Sequence, residues 1–157
     1  MLVFTSFKMY SSDAGWFFIN NVNLIFHEAG HVLFFMFGNF VSVLGGTLGE
    51  ILIPTIVTLH FLLKQQPYSA GFGLWWLSTA FWSVSVYAAD ARAQQLPLIT
   101  GNSEDHDWTY LLRELGILEH DQIVGNIFLF CSFLALALAG MLFFRSIRVG
   151  ISDMKNI

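Results

Sequence analysis

The chain has 157 residues, of which 55% are hydrophobic, 17% aromatic and only 11% charged. Soluble domains carry about 25% charged residues, so this composition, with a mean hydropathy of +0.63, excludes an ordinary water-soluble globule and a disordered chain. Seven basic residues against eleven acidic ones leave a net charge of -4, without the basic stripe that a nucleic-acid partner requires.

The single cysteine, Cys131, makes neither an internal disulfide nor a Cys-rich zinc site, and reads as a small packed residue. Asp, Glu, Lys and Arg are absent from 29–49, 51–63, 65–89 and 122–144. Crossing ~30 Å of hydrocarbon at 1.5 Å per residue takes ~20 mostly apolar residues. The pattern predicts an all-α integral membrane protein, a single membrane domain over 1–157 with the lipid bilayer as partner.

The first span is expected at about 15–38, ended by Gly38-Asn39. It carries Asn20, Asn21, Asn23, His27, Glu28 and His31, a polarity that places it facing inward or partly in the interface. A second span is expected at about 48–64, after the turn-prone Gly45-Gly46, with Pro54 as a possible kink. The third is expected at about 71–93 and the fourth at about 123–147. Between them, 94–122 reads as a polar loop followed by a short amphipathic helix on the membrane surface or capping the bundle. Leu111, Leu112, Leu115 and Leu118 recur at helical spacing there, opposite Arg113 and Glu114. His120 and Asp121 read as a cap for the last span. Four transmembrane helices plus one short surface helix is the expected architecture. The first residues lack a basic start followed by an apolar run, so no removable signal is expected. Lys8, Lys64, Arg145, Arg148 and Lys155 fall on one side of such a topology, Arg92 and Arg113 on the other. That bias puts both termini in the cytoplasm.

His27-Glu28-Ala29-Gly30-His31 is an HExxH motif. Histidines at i and i+4 share one helical face and can bind one zinc ion, while the adjacent Glu28 can take a proton from water there. Three ionisable residues within five positions of an apolar helix are costly unless used, although polar side chains packed and hydrogen-bonded in a bundle would read the same. A zinc site needs a third protein ligand. Counting 1.5 Å per residue, His27 and His31 stand ~18 and ~24 Å along the first span and Asp90 ~28 Å along the parallel third. Glu50 heads the descending second span at the same level, with Asp105, His106 and Asp107 above, whereas His60 lies at the wrong depth. Asp90 ranks first as third ligand, His106 second and Glu50 third. An interaction of Asp90 with Arg92 or with nearby backbone at a helix end, and a solvated loop for Glu104–Asp107, are the plain structural readings.

This motif in an apolar helix, followed by Gly45-Gly46 and further spans, resembles the site-2-protease family of intramembrane zinc metalloproteases. The resemblance covers about 25 residues. It implies that His27 and His31 bind zinc, that Glu28 activates water, and that an Asp from a later span, Asp90 by analogy, completes the coordination. The expected function is a membrane-embedded zinc metallohydrolase, a peptidase acting on a membrane-anchored peptide. Two departures stand out. Asp90 sits in Tyr87-Ala88-Ala89-Asp90-Ala91-Arg92 rather than in an Asp-Gly context, and the charge bias puts the site on the face opposite the cytoplasm.

The alternative is a non-catalytic small subunit of a larger respiratory or photosynthetic membrane complex, retaining a zinc site or ligating haem or pigment through His27, His31 or His60. Seventeen Phe, five Trp and four Tyr fit such a role, but fit lipid-facing and bundle-packing surface equally, with Trp75, Trp76 and Trp82 on one helix and Trp16 and Trp108 near interfaces. A transporter is a third reading, with no symmetric pair of interrupted helices to support it.

Overall fold

In the computed structural model, residues 18–96 and 106–154 are described, with side chains as far as Arg148. The expected starts and ends that fall elsewhere, together with Lys8, Trp16, Glu104, Asp105 and Lys155, lie outside the described residues. The described chain is all-α, with helices α1 (Phe18–Phe34), α2 (Asn39–Leu63), α3 (Pro67–Ala89), α4 (Asp107–Glu114) and α5 (Asp121–Met154). Among the described residues, two stretches are long and apolar enough to cross a membrane, Asn39–Leu63 and Leu118–Arg148. The described part of α1 covers 17 residues, about 25 Å of helix.

The largest departure from the expected boundaries is the start of α2, nine residues earlier than about 48. The chain turns at Gly38, whose φ of 93° favours glycine, after a 3-10 turn at Phe35–Phe37. Gly45 and Gly46 therefore do not form the turn. They lie inside α2 and, with Gly49, form the surface against which α1 packs. A Cβ on Gly30 would overlap the Gly45 carbonyl oxygen, and one on Gly49 would overlap the carbonyl of Phe26. The backbones of α1 and α2 touch because neither carries a side chain there. α2 continues through Pro54, and the Thr58 hydroxyl donates to the Pro54 carbonyl oxygen at 2.7 Å.

α3 starts with Pro67 at its first position, where the missing N–H costs no helical hydrogen bond. It stands at the centre of the bundle. Gly73 meets Thr58 of α2, and Gly125 of α5 meets Ser85 and Ala89. The Ser132 hydroxyl reaches across from α5 to the Ser78 carbonyl oxygen at 2.6 Å. Asp121, expected as a cap, accepts from the Gln122 N–H and also pairs with Arg92 at 2.7 Å. Arg92 is thus paired with Asp121, and of the two plain readings of Asp90 the structure has the second, backbone contact at a helix end.

α4 caps one end of the bundle. Trp108, Leu111 and Leu112 are buried with Val84, Ala88 and Ala91 of α3 and the turn after it, flanked by Phe40, Val43 and Leu44 of α2 and Phe128 of α5. Trp108 packs edge-on to Phe128 with ring centroids 5.4 Å apart, so it is a core residue and not an interface anchor. The helix is shorter than the leucine spacing suggested. It stops at Glu114, Gly116 adopts φ 69°, and the N–H groups of Gly116 and Ile117 donate to the carbonyls of Arg113 and Leu112, a glycine-terminated end. Leu115 is consequently exposed.

Candidate metal centre

The inner face of α1 carries Asn20, Asn23, His27 and Gly30, all buried, at spacings of three and four that bring them into one stripe. Asn23 is fixed from α3, accepting from the Trp76 indole N–H at 2.8 Å and donating to the Thr79 hydroxyl at 3.3 Å. One turn further on, His27 and His31 stand with ring centroids 4.8 Å apart at an interplanar angle of 80°. Gly46 makes room for both. A Cβ there would lie 2.5 Å from His27 Nε2 and 2.7 Å from His31 Cε1.

The third group is Asp107, the first residue of α4. Its Oδ2 lies 2.8 Å from His27 Nε2 and 3.2 Å from His31 Nε2. The ligating atoms of His27, His31 and Asp107 all fall within 4.8 Å of one another. Donors on a tetrahedral ion with bonds of ~2.0–2.1 Å stand ~3.3 Å apart, so a small contraction or expansion of this group would accommodate the ion. Burial would push the Asp107 carboxyl up, but the hydrogen bonds and charges of His27 and His31 outweigh it and hold the group below the usual carboxylate range.

The far nitrogens of both rings are also engaged. His31 Nδ1 donates to the Ser42 carbonyl oxygen at 2.9 Å, and the Ser42 hydroxyl returns a bond to the His31 carbonyl at 3.2 Å. His27 Nδ1 faces the buried Glu50 carboxylate at 3.5 Å. A carbonyl or carboxylate on Nδ1 fixes the ring and leaves Nε2 as the ligating atom, the usual outer support of metal-bound histidines. Glu50, third among the expected ligands, thus acts through His27. Replacing Glu50 with leucine is expected to weaken metal binding about 10- to 100-fold, measured by competition with a chromophoric chelator.

Asp90 and His106 stand next to this group without belonging to it. The Asp90 carboxylate accepts the N–H groups of Gln95 and Leu96 at 3.0 and 2.9 Å, closing the turn after α3. His106 caps α4, its Nδ1 accepting the Thr109 N–H at 3.3 Å, and its Nε2 lies 3.6 Å from Asp90. Burial lowers the pKa of His106 despite the two acids nearby. The Thr109 hydroxyl donates to the Ala91 carbonyl and accepts from the Gln94 side chain. This clamp on the turn after α3 holds the start of α4 so that Asp107, rather than Asp90, reaches the imidazoles. Asp90 lies where α3 has ended and its oxygens are taken by backbone. Asp107 precedes the buried Leu111 by four residues, so the periodicity of α4 carried the signal that it faces inward. Glu28 is not brought into this group: it is exposed, on the side of α1 that carries Ile25 and Val32, and His60 sits far along α2 against Phe61.

No protein-family model, curated protein or solved structure matches this chain. The function is therefore argued from the site itself.

Proposed function

We propose that the protein is a membrane-embedded metallohydrolase, with zinc as its ion and peptide bonds of membrane-anchored substrates as its target. The observation that carries this reading is the convergence of two Nε2 atoms and one carboxylate oxygen, with both Nδ1 atoms committed to Glu50 and Ser42. Two imidazoles and a carboxylate suit zinc in a catalytic rather than a structural setting, where three protein ligands leave a position open. When bound, the ion would act as a Lewis acid and make water a nucleophile near neutral pH.

The chain's own residues supply the rest. His27, His31 and Asp107 hold the ion, and Glu50 and Ser42 orient the rings. Glu28, adjacent in sequence to His27 and exposed, takes a proton from water and passes it to the leaving amine. The Glu28→Gln protein is expected to keep its metal and lose turnover by at least about 100-fold. Turnover would be measured on membrane-anchored peptides in the same preparation as the metal content, and full activity in that variant would remove Glu28 from this role.

The membrane setting draws support from the surface. Ile123, Ile127, Phe130, Leu134, Leu138 and Met141 are exposed along α5, and Ile25, Val32, Leu33 and Phe35 along α1 and its end. Apolar surface of this extent is not left to water by a monomeric soluble protein. Charges separate to the two ends: Arg145 lies with Gln65 and Gln66 at one end, and Arg92 with Arg113 at the other. Lys64 directly precedes the first of these groups. This separation supports a topology with the metal centre toward the less basic face. The alternative of a haem- or pigment-carrying subunit predicts a visible absorption band in the purified protein, and the metallohydrolase predicts none.

A further inference from the structure

Metal ligation leaves Tyr87 unexplained. Its ring, near the end of α3, packs on His106 with centroids 4.3 Å apart and on His27 at 5.9 Å. Its hydroxyl oxygen accepts the Asp107 N–H at 3.1 Å. The oxygen is therefore pinned beside the residue whose carboxylate meets both imidazoles. A phenol also has one proton to donate, and among the described residues that proton has no acceptor. The side chain is only partly buried and lies against both His27 and the Asp107 backbone.

Hydrolysis of an acyl compound builds negative charge on the carbonyl oxygen, and a fixed donor aimed at that oxygen stabilises it without reorganising. We propose that the Tyr87 hydroxyl is this donor, binding the acyl oxygen of an amide substrate held against His27, His31 and Asp107. Its own oxygen is tethered by the Asp107 N–H, and its ring is stacked on His106. The proton stays on Tyr87 throughout, and only the hydrogen bond strengthens as charge develops. This role rests on the metal centre proposed above.

The test loads the full-length protein in detergent micelles with Co(II) and titrates acetohydroxamic acid, whose carbonyl oxygen stands in for the acyl oxygen, following the visible cobalt bands. Tyr87→Phe keeps the ring and its stack and removes only the hydroxyl. The variant is expected to load the same equivalent of cobalt and to bind acetohydroxamate about ten- to a hundredfold more weakly. Equal affinity in the two proteins would overturn the donor role and leave the metal centre standing. Loss of cobalt from Tyr87→Phe would also overturn it, reducing Tyr87 to a support for Asp107. Failure of the unaltered protein to bind cobalt would overturn the metal centre and, with it, this role.

Discussion

Asp107→Ala is expected to abolish stoichiometric zinc, whereas Asp90→Ala is expected to retain it. Structural zinc sites in small peptides bind with an apparent free energy of about 10–16 kcal/mol. Shared over three or four ligands, each ligand is worth roughly 3–4 kcal/mol, which is two to three orders of magnitude in affinity. Among the described residues, Asp107 alone places an oxygen within 3.2 Å of both Nε2 atoms. Asp90 instead spends its oxygens on the Gln95 and Leu96 N–H groups, so its loss loosens the turn after α3 without opening the metal sphere. Metal analysis of the two purified variants, with His27→Ala as the positive control, decides between these roles. Zinc lost from Asp90→Ala and kept in Asp107→Ala would reverse the assignment. The comparison needs no substrate.

The second large effect concerns the α1–α2 contact. Gly30→Ala puts a Cβ into the Gly45 carbonyl and within 3.2 Å of the Gly46 Cα. Every atom it meets is backbone, so no side chain can swing aside, and the helices must separate. Overpacking a tight interior costs about 1–3 kcal/mol and occasionally more, and a backbone collision belongs at the upper end. Loss of about 3 kcal/mol is expected, read from denaturant titration in mixed micelles. The same displacement carries Ser42 away from His31 and Gly46 away from both rings, so metal affinity falls together with stability. Gly140→Ala, with open space around its Cβ position, is the control and is expected to change neither.

Much of the arrangement was legible in the residues. The HExxH spacing placed His27 and His31 on one face, and helix counting brought Glu50, Asp90 and the Asp105–Asp107 segment to the same end of the bundle. The structure gathers His27, His31, Glu50, Asp90, His106 and Asp107 there. What the sequence hid was the use of small residues. Gly45-Gly46 reads as a turn because glycine permits one, yet here it serves close helix contact, and a local pattern cannot show which backbone will lie opposite. Ranking Asp90 ahead of His106 and Glu50, with Asp107 read as part of a solvated loop, has a related cause. Asp90 and Asp107 are both at the right height, and the deciding fact is which carboxylate the backbone of 95–96 captures. Tyr87 was invisible for the same cause, since its meaning comes from the N–H of a residue 20 positions away.

The site joins two parts of the chain that are made at different times. His27 and Asp107 are separated by 80 positions, which at ~5–20 residues per second is roughly 4–16 s of synthesis. Until α4 emerges and docks under the turn after α3, the α1–α2 hairpin holds the two imidazoles with Glu50 behind His27 but lacks the Asp107 carboxylate that meets both Nε2 atoms. Assembly of this side-chain group is therefore a late step of biogenesis, coupled to completion of the bundle. A nascent or truncated chain ending before residue 107 carries the motif but lacks the third ligand.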